Sequence, residues 1–133
     1  MLAFALQAVV AFNLICTGTY TTERRHRRLD HVVSQPRPFT IVYRVDLTGA
    51  RYCVDACTSI KPLAEVSESA IVFEDTSILF GQDDGVLILM DRRTGRYIGN
   101  SNFLDTVRHS GRCEQAPFGG FPETSTPQTA PGQ

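Results

Sequence analysis

Residues 39–48, FTIVYRVDLT, send Ile41, Tyr43, Val45 and Leu47 to one face and Val42, Arg44, Asp46 and Thr48 to the other. Successive side chains on a strand point to opposite faces, so this alternation marks a half-buried antiparallel strand. Thr48-Gly49 signals a turn, and residues 50–54 return from it. A second hairpin lies downstream. Residues 85–91, GVLILMD, are apolar on both faces and read as a central strand. Arg93-Thr94-Gly95 closes that strand, with Gly95 suited to the left-handed position of a three-residue hairpin, and residues 96–99 return. The two hairpins share a spacing from Asp46 to Tyr52 and from Asp91 to Tyr97. Each has Thr-Gly inside and Arg-Tyr at its end, which indicates the same turn chemistry.

Outward from these hairpins the chain continues in strands. Residues 12–22, FNLICTGTYTT, set Phe12, Leu14 and Cys16 against Asn13, Ile15 and Thr17. Residues 70–74, AIVFE, follow the turn residues Ser67-Glu68-Ser69, and residues 103–108 make a weaker strand. No segment carries a helical period over ten residues, although 61–69 has room for a single helical turn. The chain of 133 residues is long enough for one ordinary domain. The expected fold is all-β, a small antiparallel meander, sandwich or barrel of about six to eight short strands.

The two ends differ from the body. Residues 1–16 carry no charge and are mostly apolar. Together with the small residues at Val9-Val10-Ala11, they read as a secretory signal over 1–11, cut after Ala11. The basic start of such a signal is absent, which fits a true start upstream of Met1. A competing cut after Gly18 would remove Cys16, and the competing reading of the segment is a buried first strand of a cytosolic protein. From Pro122 the chain runs PETSTPQTAPGQ, with nothing to bury, so 123–133 reads as a disordered tail behind a single β domain over 12–122.

Thirteen basic against fourteen acidic residues give a net charge of −1, which does not point to nucleic acid. No stretch reaches the roughly 18 apolar residues of a membrane span. Four cysteines permit three pairings. Cys-x-x-x-Cys at Cys53 and Cys57 has no matched second pair for zinc, and His26, His31 and His109 show no ligand spacing, so neither a metal nor another cofactor is expected. In an oxidising compartment the economical reading is two disulfides: Cys53–Cys57 pinching a short loop, and Cys16–Cys113 tying the first strand to the last.

FNLICTGT, YRVDLTGARYC, the short Cys-x-x-x-Cys, MDRRTGRYIG and the closing GRCEQAPFGGFP together resemble a group of small exported β proteins of Gram-negative bacteria. The resemblance covers most of residues 12–122 and rests on cysteine and turn positions. It implies a periplasmic or secreted location and an all-β fold, and it carries no activity.

Candidate chemistry is sparse. The run Glu23-Arg24-Arg25-His26-Arg27-Arg28 offers Arg24, Arg25, Arg27 and Arg28 to an anion or an acidic partner. It lacks the interleaved aromatics of a nucleic-acid site and is flanked by Glu23 and Asp30 in a slightly acidic chain, so a solvated loop is the favoured reading. Asp83-Asp84-Gly85 and Glu74-Asp75 lack the ligand spacing of a calcium loop. Ser77, Ser101 and Ser110 lie in plausible loops for a nucleophilic site, and His109 beside Ser110 points to the opposite face of a strand. Two functions remain. One is a non-enzymatic, disulfide-stabilised module of the cell envelope or secreted space that binds a protein or small ligand. The other is a hydrolase-type enzyme built from scattered Ser, His and acid residues. An exposed patch bearing Tyr43, Tyr52 or Tyr97 with Arg44 or Arg96 would mark the first. A pocket where Ser, His and acid converge would mark the second.

Overall fold

The computed structural model describes residues 10–24, 33–76, 85–102 and 105–122, and no helix occurs among them. The strands are β1 (Ala11–Arg24), β2 (Arg37–Asp46), β3 (Arg51–Val54), β4 (Lys61–Pro62), β5 (Glu65–Val66), β6 (Ala70–Asp75), β7 (Val86–Asp91), β8 (Arg96–Asn102) and β9 (Asp105–Ala116). They form one sheet in the order β4-β3-β2-β1-β9-β8-β7-β6-β5, antiparallel at every pairing. The first and last strands are therefore neighbours at its centre. Its two outermost strands, β4 and β5, are separated only by Leu63 and Ala64. A sheet whose two edges are halves of one short segment has to curl back on itself, and the result is a half-barrel. Leu63 N–H donates to the Ala50 carbonyl and Ala64 N–H to the Val72 carbonyl, each at 2.8 Å, so the strap is bonded to both sides.

The all-β, antiparallel expectation holds, with two corrections. Among the described residues there are nine strands, because 61–69 holds β4 and β5 and no helical turn. The last strand also runs on to Ala116. Its outward residues Arg108, Ser110, Arg112 and Glu114 are exposed, and between them His109, Gly111 and Cys113 face the interior. So polar a strand gives little apolar alternation to read.

The curl is made where β1 meets β9. Gly18 lies opposite Gly111, with Phe39 of β2 beyond one and Tyr97 of β8 beyond the other. A Cβ on Gly18 would stand 2.6 Å from the Gly111 Cα, so no other residue fits this approach. With no side chains between them, the rings of Phe39 and Tyr97 meet across two intervening strands, their centroids 5.7 Å apart. Two residues along, on the same face, Cys16 and Cys113 are bonded, with Cα atoms 3.9 Å apart, and Cys16 is fully buried. The expected pairing is thus the observed one, as is Cys53–Cys57. Around this seam Phe12, Leu14, Val45, Leu63, Ile71 and Met90 fill the interior with the aromatic residues described below.

Both hairpin turns place the fourth residue after the aspartate at positive φ: Gly95 at 82° and Ala50 at 52°. Asp91 caps its turn by accepting from Arg93 N–H (2.8 Å) and Thr94 N–H (3.2 Å). Asp46 accepts from Gly49 N–H (3.3 Å) and pairs with Arg51 (3.1 Å). The chemistry is shared, but in the first turn the glycine stands one residue too early for the left-handed position.

Residues 117–122 fold back over the outer face. Gly119 N–H donates to Asn13 Oδ1 (2.9 Å), Arg44 Nη1 donates to the Gly120 carbonyl (2.8 Å), and the Arg51 guanidinium lies 4.9 Å over the Phe121 ring. The signal expected over 1–11 and the tail expected over 123–133 fall, apart from Val10 and Ala11, outside the described residues.

Left-handed φ costs a non-glycine residue about 1–2 kcal/mol. Gly95→Val should therefore lower stability by about that much, aggravated by the Cys113 carbonyl 3.0 Å from the new Cβ. Ala50→Gly should raise it by about 1 kcal/mol, less the extra chain entropy of glycine. Urea unfolding of the two variants measures both, and equal, same-signed shifts would refute the assignment. In the chain-entropy model the bridge with a sequence separation of 97 is worth about 4–5 kcal/mol, and that with a separation of 4 about 2 kcal/mol. The double variant Cys16→Ala/Cys113→Ala should thus unfold at lower urea than Cys53→Ala/Cys57→Ala.

Candidate functional site

The alternation of β2 sends Ile41 and Tyr43 inward, β3 adds Tyr52 and Val54, and Tyr97 and Gly99 come from β8. Strand β6 contributes two consecutive residues. A bulge shifts its register between Val72 and Glu74, so Phe73 and Glu74 both face the interior, where strict alternation would turn Glu74 to solvent. These residues, with Lys61, Ile88, Asn100, Ser101 and His109, line a cavity of about 230 Å³ inside the curl.

Its wall is aromatic. Tyr43 stacks on Phe73 with centroids 4.0 Å apart, and Tyr52 meets the same ring edge-on at 5.2 Å. Tyr43 and Tyr97, from strands on opposite sides of the β1–β9 seam, share a buried hydrogen bond of 2.6 Å between their hydroxyls. His109 stacks on Tyr20 at 5.2 Å and takes Phe39 edge-on at 4.9 Å. Exposed Lys61 and half-buried Glu74 bring one charge of each sign.

Burial sets the protonation states. Desolvation raises the Tyr43 hydroxyl well above the ordinary tyrosine range, and neighbouring Tyr97 adds to it. Tyr52 is pushed up to about 12, by burial first and then by the Glu74 carboxylate. Tyr97 is raised by burial, against an opposing pull from its hydrogen bond with Tyr43. Burial lowers the His109 imidazole, which is neutral at pH 7. The aromatic wall therefore holds neutral groups at physiological pH.

The tyrosines expected in an exposed patch are inside: Tyr43, Tyr52 and Tyr97 are at most 3% exposed. Arg44 and Arg96 lie on the outer side, and Arg44 holds the Gly120 carbonyl. That patch is not formed, because the period-two alternation that puts Tyr43 with Ile41 also puts Arg44 opposite. Arg24 is exposed at the end of β1, while Arg25, Arg27, Arg28, Ser77, Asp83 and Asp84 lie outside the described residues. Ser110 faces outward and His109 inward, as their adjacency on a strand requires. Ser101, His109 and Glu74 do reach one cavity, yet no hydrogen bond joins any two of them among the described residues. No group of three His, Cys, Asp or Glu residues placed to hold a metal occurs there either, and no helix is long and apolar enough to cross a membrane. Sequence reading missed the cavity itself. The signal for Tyr43 and Tyr97 was their apolar-face position, and none existed for Glu74.

Comparison with known protein families, curated proteins and solved structures yields no match in any of the three.

The shifted groups set the pH range of stability. A tyrosine whose folded pKa lies above its unfolded value near 10 adds stability that is complete below pH 10 and lost as pH rises through the folded value, about 12 for Tyr52. His109, lowered in the fold, adds stability above its unfolded value near 6.5 that is lost as pH falls through the folded value. The thermal midpoint should hold between about pH 6.5 and 10 and fall on both sides. His109→Gln should flatten the decline between about pH 6.5 and 5, where ordinary carboxylates stay ionised. An unchanged profile in that variant would show that His109 does not titrate with folding.

Proposed function

We propose that this protein is a non-enzymatic, disulfide-stabilised β module of the periplasm or secreted space that binds a small ligand inside its curled sheet. The observation that carries this reading is the cavity, walled by Tyr43, Tyr52, Phe73 and Tyr97 and supplied with a few convergent polar groups. Concave, mostly aromatic sites with few polar anchors are the usual form of small-molecule sites. Two disulfides fit an oxidising compartment, and the resemblance to small exported proteins of Gram-negative bacteria points the same way.

The hydrolase reading keeps one observation in its favour, the presence of Ser101, His109 and Glu74 on the same cavity. Against it, nucleophile and base are not joined, and the His109 ring is packed against Tyr20 and Phe39.

Titration of the full chain with toluene, followed by amide NMR, separates these readings. Binding predicts saturable shifts centred on Tyr43, Ile88 and Tyr97, with no saturable hydrolysis of p-nitrophenyl acetate. Turnover abolished by both Ser101→Ala and His109→Gln would replace the binding module with an enzyme. Shifts scattered over the outer face would remove the cavity from consideration. Intact mass of the protein from a periplasmic fraction, before and after reduction, should show both disulfides formed.

A further inference from the structure

The paired hydroxyls of Tyr43 and Tyr97 go further than the presence of a cavity, and what they imply rests on the binding reading above. Each phenol carries one proton to donate. The 2.6 Å bond between them consumes one of the two, whichever oxygen donates. Among the described residues no acceptor takes the second proton, and both side chains line the cavity. A hydroxyl proton facing a mostly apolar cavity is best satisfied by an acceptor, so a ligand that brings one is favoured over a ligand of the same size that does not.

The rest of the wall restricts what that acceptor belongs to. Tyr43, Tyr97 and His109 are neutral at pH 7, so the inner wall offers an anion no fixed positive charge. Among the described residues Lys61 is the single cationic side chain on the cavity, it is exposed, and Glu74 matches its charge. An ionised carboxylate drawn against the neutral inner wall would lose its hydration for no fixed positive charge there. A dry cavity of roughly 150 Å³ holds benzene, so about 230 Å³ suits one ring with a short substituent. The wall is aromatic, with Tyr43 and Phe73 stacked on each other and Tyr52 and Tyr97 tilted beside them, and such a wall favours a planar ring in offset or edge-on contact over a branched body.

We infer that the cavity recognises a small, neutral, planar ligand through a carbonyl-type oxygen that accepts the spare hydroxyl proton of the Tyr43–Tyr97 pair.

Three probes of similar size test this on the full chain: acetophenone, with a neutral acceptor; ethylbenzene, with none; and benzoate, an anion at pH 7. Dissociation constants come from NMR titration of the cavity residues. Acetophenone should bind roughly threefold to tenfold more tightly than ethylbenzene, the effect of one neutral hydrogen bond, and benzoate most weakly. In Tyr43→Phe/Tyr97→Phe, where both partners become apolar rings of the same shape, the preference for acetophenone should vanish while ethylbenzene binding persists. Each single Tyr→Phe variant leaves one hydroxyl with its proton free and should keep the preference. Equal binding of acetophenone and ethylbenzene by the unaltered protein would overturn the assignment and leave the cavity a ligand site. A preference surviving in the double variant would move it to another donor, and benzoate binding tightest would make the site anionic in specificity. Failure of all three probes to shift cavity residues would remove the binding reading as well.

Discussion

Everything inside this sheet depends on how closely β1 and β9 approach at Gly18 and Gly111. Backbone hydrogen bonds space neighbouring strands, and the side chains standing on a face limit how sharply that face can fold inward. Two glycines face to face remove those side chains at one rung, and the Cys16–Cys113 bond holds the next rung on the same face. The sheet bends there, and residues with two strands between them become contacts. Phe39 reaches Tyr97, Tyr43 reaches Tyr97, and the aromatic wall follows. Glycine kinks and bulges are the general means of closing a sheet on itself, and this molecule uses a glycine pair at the seam and a bulge in β6.

The same geometry divides labour between the faces. The inside is aromatic, its two most buried tyrosine hydroxyls are bonded to each other, and no described buried side-chain oxygen or nitrogen lacks a partner. The outside carries arginine, and three of its contacts go to the segment 117–122 through Asn13, Arg44 and Arg51. Asp55 performs a related task at an edge. It sits at φ 49° in the loop pinched by Cys53–Cys57, where its N–H donates to the Val42 carbonyl and its carboxylate accepts from Val42 N–H. One residue thereby occupies both free positions of Val42 on the exposed edge of β2, which otherwise invites another strand.

Much of this was legible wherever alternation was clean. Ile41, Tyr43 and Val45 on one face of β2, Phe12, Leu14 and Cys16 on one face of β1, and Gly95 in its turn all stand where period and turn chemistry put them. The long-range cysteine pairing followed from counting alternatives. Curvature was not legible, because it arises from a register that places Gly18 against Gly111, and register is a property of two strands. The bulge at Phe73 was hidden for the same reason. AIVFE reads as an uninterrupted strand, and only pairing with β7 reveals the extra residue that turns Glu74 inward. The strap over 61–66 was misread because two-residue strands have no period to detect.

Neighbouring first and last strands impose an order on synthesis. β1 leaves the ribosome early and β9 late, so the seam cannot form until nearly the whole domain has emerged. The two bridges differ in the same respect: Cys53 and Cys57, four residues apart, close a loop at far smaller entropic cost than Cys16 and Cys113, 97 residues apart, so the small bridge demands only a local turn and the large one demands the whole domain.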